Sequence, residues 1–252
     1  MGLFDLPSPI FDQLNKLLSF LPMTLQLIVW ACVCGIVSMY LYKIMSAQEA
    51  IGRLKAESIA ARKALSGYEG TEFSEAIPLA VNVLKLSGTH LMRVTLPAIV
   101  SSLPALSLIV WVSNNYGYEA PASGDIIAVS ISPDTQLTWN PASSVLAGNP
   151  GEYEVTWPEV AEKIEAADQQ STAFSIGTGL APVIHKPLWW NMLIANPAGY
   201  LDEKSTIELV QLELTPHEYL PFGPDWLREW PGLFFIALIA ASLAVKVIFK
   251  IN

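Results

Sequence analysis

Ser46-Ala47-Gln48-Glu49-Ala50-Ile51-Gly52-Arg53-Leu54-Lys55-Ala56-Glu57-Ser58-Ile59-Ala60-Ala61-Arg62-Lys63-Ala64-Leu65 opens a charged stretch, residues 43–93, between two hydrophobic runs. The first four residues fit a capping box, in which serine and glutamate satisfy backbone donors at a helix start. Strong helix formers follow. Glu49, Arg53 and Glu57 recur every fourth residue, so opposite charges can pair along one face. Ile51, Leu54, Ser58, Ala61 and Leu65 are spaced 3-4-3-4, a narrow coiled-coil-like seam for one partner helix. Two glycines in Ser66-Gly67-Tyr68-Glu69-Gly70-Thr71 break the pattern. A second helical pattern runs over residues 74–91, with Pro78 tolerable near its first turn. The stretch therefore predicts a helical hairpin.

The surroundings are apolar. Of 252 residues, 52% are hydrophobic and only 15% charged, proportions that favour a membrane protein with a polar part attached. Residues 25–42 and 94–112 carry no charge. Residues 231–245 form a shorter run, which Lys246 and Lys250 can extend by snorkelling. Nothing basic except Lys16 precedes the first run, and no small-residue cleavage site follows it, so a signal peptide is not expected.

Charge orients these runs. Residues 43–93 hold seven basic and five acidic side chains; residues 114–229 hold four basic and sixteen acidic. The positive-inside rule puts the hairpin and the C-terminus in the cytoplasm, and the N-terminus and residues 114–228 outside. Trp111, Trp226 and Trp230 then form an aromatic belt at the outer interface. A net charge of −9, with no basic patch, excludes nucleic acid as a partner. The expected partners are the lipid bilayer and other membrane proteins.

Six segments follow. Residues 1–22 read as an interfacial amphipathic helix, capped by Ser8, with Pro9 in its first turn. Its stripe of Ile10, Phe11, Leu14, Leu17, Leu18 and Leu21 faces either the outer leaflet or the outer domain. Residues 23–43, 93–113 and 229–252 are spans, and residues 44–92 are the cytoplasmic hairpin. Residues 114–228 read as a small β-rich, sandwich-like extracytoplasmic domain. Its expected strands lie at 125–132, around Leu137 and Trp139, at 153–157, 172–176 and 206–214. A short helix is expected at 158–168, with Val160, Ala161, Ile164 and Ala167 on one side. The fold class is thus an α-helical three-span core with a cytoplasmic hairpin and a β-rich outer domain. The adjacent Trp189 and Trp190 mark either a partner or membrane surface, or a packed core segment.

Little points to catalysis. His90, His185 and His217 have no ligands at metal spacing, so no metal and no cofactor is expected. No phosphate loop and no nucleophile elbow occurs, and an enzyme is not expected. Cys32 and Cys34, two apart on a helix, face different directions and read as small packing residues.

Pro97 and Pro104 lie seven apart on one helix face. Each frees the carbonyl four residues earlier, at Arg93 and Val100. Thr95, Ser101, Ser102 and Ser107 offer hydroxyls nearby. The span lines either a packed helix interface or a partly hydrated groove.

An outward N-terminus, a first span, a cytoplasmic hairpin and Leu96-Pro97-Ala98-Ile99-Val100-Ser101-Ser102-Leu103-Pro104 together resemble the YidC/Oxa/Alb membrane-insertase superfamily. The resemblance covers residues 24–114 and the last span. It implies a hairpin that receives hydrophobic clients and a polar groove that carries their hydrophilic flanks. It makes Arg93, Thr95, Pro97, Ser101, Ser102 and Pro104 groove candidates, and Lys55, Arg62 and Lys63 hairpin contacts. The family carries a basic residue inside the first span, a slightly shorter proline spacing and a short link between the second and third spans; this chain has none of these. The implied function is help with membrane-protein insertion or complex assembly. The alternative is a structural or accessory subunit of a larger membrane complex, contacting partners through its outer domain. A bacterial inner membrane is the expected location.

Overall fold

The computed structural model describes residues 2–70, 72–159, 162–168, 172–177 and 179–250. The chain divides into two compact units, one of residues Met1–Leu27 with Ser107–Leu233, the other of Ile28–Leu106 with Phe234–Asn252.

Six α-helices occur among the described residues: α1 (Ser8–Leu17), α2 (Met23–Met45), α3 (Gln48–Ser66), α4 (Phe73–Tyr116), α5 (Asp225–Arg228) and α6 (Trp230–Ile248). Three of them, α2, α4 and α6, are long and apolar enough to cross a membrane. The second hairpin arm and the second span, read separately from sequence, form one unbroken 44-residue helix, α4. At 1.5 Å per residue it is about 66 Å long, twice the ~30 Å hydrocarbon thickness, so a single crossing leaves half of it outside. Pro78, Pro97 and Pro104 all lie within it. Each proline removes one donor, while its neighbours keep theirs and carry the helix through.

In the second unit, α3 turns its predicted seam inward. Ile51 and Ser58 are buried, Leu54, Ala61 and Leu65 half-buried, and the charged positions between them exposed. The Ser58 and Ser87 hydroxyls lie 3.2 Å apart, and Arg62 Nη2 donates to Ser87 Oγ at 3.3 Å, which ties α3 to α4. The start of α3 differs from the expected capping box. Ala47 is the N-cap, no side chain caps it, and the Ser46 hydroxyl instead accepts from the Gln48 side-chain amide. One residue of offset carries the serine out of reach of the N3 amide. No ion pair joins Glu49, Arg53 and Glu57; the described pairs involve His217 and Arg228. Within the same unit, Gly35 of α2 lies so close to α6 that a Cβ would meet Leu238 O at 2.8 Å. Small residues permit this kind of backbone approach.

In the first unit, two antiparallel sheets build the β region. A five-stranded sheet has the order β3-β4-β1-β8-β7, formed by β1 (Ile126–Ser132), β3 (Val145–Asn149), β4 (Glu152–Thr156), β7 (Val183–His185) and β8 (Leu209–Leu212). A three-stranded sheet has the order β2-β5-β6, formed by β2 (Thr138–Asn140), β5 (Ile164–Ala167) and β6 (Thr172–Ile176). Alternation sets the faces: Ile127, Val129 and Ile131 of β1 are buried, as are Tyr153 and Val155 of β4. Both sheets feed one hydrophobic core. The Trp139 ring of β2 meets Tyr153 of one sheet at 5.3 Å and Phe174 of the other at 5.8 Å. Gly151, at φ +90°, turns the chain from β3 into β4 through a conformation that disfavours side chains.

One segment is contrary to expectation. Among the described residues of 158–168 there is no helix: β5 occupies Ile164–Ala167, pairing with β2 and β6. Ile164 and Ala166 are buried with Glu165 exposed between them, a period of two. Ile164 and Ala167 also fit a period near 3.6, and tertiary pairing decides between the two. Val160 and Ala161 lie outside the described residues.

Candidate functional site

The groove candidates are best judged on α4 itself. With 100° of turn per residue, Arg93, Pro97, Ser101 and Pro104 fall within about 80° of arc, while Thr95 and Ser102 lie on the opposite side. One continuous helix therefore cannot present all six to a single groove. The hydroxyls are used locally: Ser101 Oγ donates to Ala98 O at 3.0 Å and Ser102 Oγ to Ile99 O at 2.7 Å. Such bonds satisfy a hydroxyl within apolar surroundings without a partner helix or water. Ser101 is buried and Arg93 exposed. Among the described residues, no cluster of three or more His, Cys, Asp or Glu is placed to hold a metal ion.

The hairpin carries a feature absent from the sequence reading. Ile77, Val81, Leu84 and Leu91 of α4 are all exposed. Their 4-3-7 spacing puts them within about 80° of arc, on a stripe about 21 Å long. Gly88 lies on the same stripe, and a Cβ there would meet nothing within 4 Å. The signal was present as the 77-81-84-88-91 period, hidden because Gly88 replaces an apolar residue. Lys55, Arg62 and Lys63 are exposed on α3 of the same unit. The hairpin thus offers an apolar stripe on one helix and basic side chains on the other. At its tip, Tyr68 Oη lies 2.8 Å from Glu75 Oε2 and 3.0 Å from Glu72 O, joining the turn to the start of α4. The bond to Glu75 holds the phenol above its ordinary ionisation range.

In the first unit, α1 is anchored through its polar side. Trp111 Nε1 donates to Asp12 Oδ1 at 2.7 Å, and the Phe11 ring lies 5.7 Å from that indole. Tyr116 Oη lies 2.8 Å from Asn15 Oδ1 and 2.9 Å from Gln26 Oε1. Gln26 is oriented by donating its amide to Leu21 O at 2.8 Å, which turns its oxygen toward the phenol; with one proton, the Tyr116 hydroxyl donates to one of the two amide oxygens at a time. Tyr219 Oη donates to Tyr116 O at 3.0 Å. Burial pushes the Tyr219 phenol well above the usual tyrosine range, and Tyr116 beside it adds to the shift. Trp111 is 2% exposed beneath α1, so it is no lipid-facing member of an aromatic belt, whereas Trp226 is exposed. Ser8 is not the cap expected for α1; Pro7 holds that position and Ser8 is the first helical residue.

Trp189 and Trp190 lie on a 3-10 turn, Trp189–Met192. Trp189 is exposed, while the partly covered Trp190 ring lies 5.6 Å from His185. Comparison with protein-family models, curated proteins and solved structures finds no match to this chain.

Proposed function

We propose that this chain is an integral membrane protein that assists membrane-protein insertion or complex assembly, in the manner of the insertase superfamily. Its spans are α2, the second half of α4, and α6. The charge asymmetry supports a cytoplasmic hairpin and C-terminus, with the N-terminus and β region outside, in a bacterial inner membrane. The observation that carries the reading is the exposed stripe of Ile77, Val81, Leu84 and Leu91. An apolar helix face held outside the hydrocarbon costs free energy unless another apolar segment covers it. An incoming hydrophobic helix is such a segment, and Lys55, Arg62 and Lys63 would meet its acidic flanks.

A second reading has its own observation. Ser101 and Ser102 bond back to their own helix, and the one basic residue of α2, Lys43, lies in its last turn rather than inside the span. Both favour an accessory subunit whose stripe is covered by one permanent partner.

Photo-crosslinking from Leu84 and Leu91 in cells separates the two. Many short-lived adducts with nascent membrane proteins support the insertion role. A single stoichiometric adduct supports the accessory subunit. Adducts no more frequent than from exposed Glu57 on α3, which has no assigned contact, would sink both.

A further inference from the structure

The N-terminal segment is joined to the outer domain by a buried carboxylate. Asp5, 7% exposed, accepts from Gly2 N at 3.0 Å and from Ala195 N at 2.7 Å through the same Oδ2 atom. Phe4 N donates to Leu193 O at 2.9 Å. A Cβ on Gly2 would meet Leu193 O at 2.6 Å, so the two backbones are in close contact. A carboxylate that receives two backbone amides replaces water for both and fixes the junction.

Around that junction the apolar side chains point outward. On the N-terminal side, Leu3 and Leu6 are exposed, and the exposed face continues along Ile10, Leu14 and Leu17 of α1. On the domain side, Trp189 is 79% exposed and Met192 70%. The loop meets its own polar needs inside: Leu188 N donates to Asn191 Oδ1 at 2.7 Å, and Asn191 Nδ2 donates to Ile194 O at 3.2 Å. Residues 188–201 contain no charge, in an outer segment that holds sixteen acidic side chains. A loop with the amides of Leu188, Asn191, Leu193 and Ile194 bonded internally, apolar tips and no charge suits the membrane–water interface.

The level of this surface comes from its neighbours in the same unit. Through Asp12 and Asn15, α1 is fastened to Trp111 and Tyr116 in the last turns of α4, and Gln26 near the start of α2 joins the same cluster. A cleft lined by Ser113 and Asn114 of α4 and by Trp190 and Ile194 places the loop beside that helix end. Both apolar surfaces thus sit where the spans leave the hydrocarbon, with their polar sides turned to protein.

We propose that the N-terminal segment and the 188–194 loop form one lipid-embedded platform in the outer leaflet, latched together by Asp5. Its occupant is the acyl and glycerol region of the bilayer. A helix with one apolar face lies in that region, and tryptophan favours it. The proposal rests on α2, α4 and α6 being membrane spans.

The test is carbene photolabelling of the full-length protein in phosphatidylcholine vesicles, with a lipid-soluble diazirine and peptide mapping. Trp189, Met192 and Leu17 are expected to take about tenfold more label than Ile126, an exposed apolar residue of β1, and to approach Ile236 and Ile239 of α6. Labelled spans with Trp189 and Met192 at the Ile126 level overturn the platform. Spans at that level too overturn the membrane reading itself. Asp5→Ala tests the latch by hydrogen exchange at the Gly2 and Ala195 amides. Protection should fall at both and stay unchanged in β1; unaltered exchange at Ala195 overturns the latch.

Discussion

Two amphipathic helices of this protein share a spacing and use it in opposite ways. On α3, Ile51 and Ser58 are buried and Leu54, Ala61 and Leu65 half-buried, and the charges face outward. On α1, the polar Asp12 and Asn15 make the contacts to α4 while Ile10, Leu14 and Leu17 remain exposed. A 3.6-residue period therefore identifies a face but not its surroundings. The apolar face of α3 meets a protein helix; that of α1 is held outward by hydrogen bonds on its other side.

The largest test of this contrast is truncation on each stripe. Ile51→Ala leaves a cavity in the seam and should cost about 2–5 kcal/mol, read as a lower unfolding temperature of the hairpin in detergent. Leu17→Ala, on the exposed stripe, should change the same measurement by less than about 0.5 kcal/mol. Equal losses would remove the distinction between the two helices.

Next comes the polar anchor of α1. Asp12→Ala deprives the buried Trp111 indole of its acceptor and should cost about 1.5–3 kcal/mol; Asp12→Asn keeps an oxygen and should cost less. Hydrogen exchange along α1 checks both. A smaller effect is expected in the α3 seam. Ser58→Ala removes one contact to Ser87, whose hydroxyl keeps Arg62, and should cost about 0.5–1.5 kcal/mol.

The last effect is absent at neutral pH. Folding makes the Tyr219 phenol harder to ionise, so above about pH 10 the unfolded chain releases a proton that the folded chain still holds. Stability from this group is therefore complete below that pH and is lost as pH rises through the folded value. Because Tyr219 bonds the backbone of Tyr116, alkali should loosen α1 before the α3 seam, and Tyr219→Phe should blunt that loss. Exchange rates measured between pH 7 and about pH 11 give the comparison.

Much of this was legible in the chain. The hairpin seam, the three long apolar helices and strands β1, β4 and β6 follow from local period and composition. The stripe on α4 was legible too, once Gly88 is allowed as a gap in an apolar face. Other features were not. Residues 164–167 carry a pattern compatible with both periods, and strand partners at Asn140 and Ile176 make them β5. Strands β3 and β7 are short and weakly patterned, and they exist because β4 and β8 offer them edges. Of the groove candidates, Arg93, Pro97, Ser101 and Pro104 share one side of α4 while Thr95 and Ser102 lie opposite, a division fixed by 100° of turn per residue.

By itself, the amino-acid order determined the hairpin, strands β1, β4 and β6, which helices are long enough to cross a bilayer, and how charge is distributed between the loops. These depend on covalent geometry, near neighbours and total transfer free energy. Only the tertiary structure decided which way α1 faces, how Asp5 reaches an amide 190 residues away, and which sheet receives β5. A hydrogen bond or a buried face needs its partner in space, and local periodicity carries no record of a partner that distant in the chain.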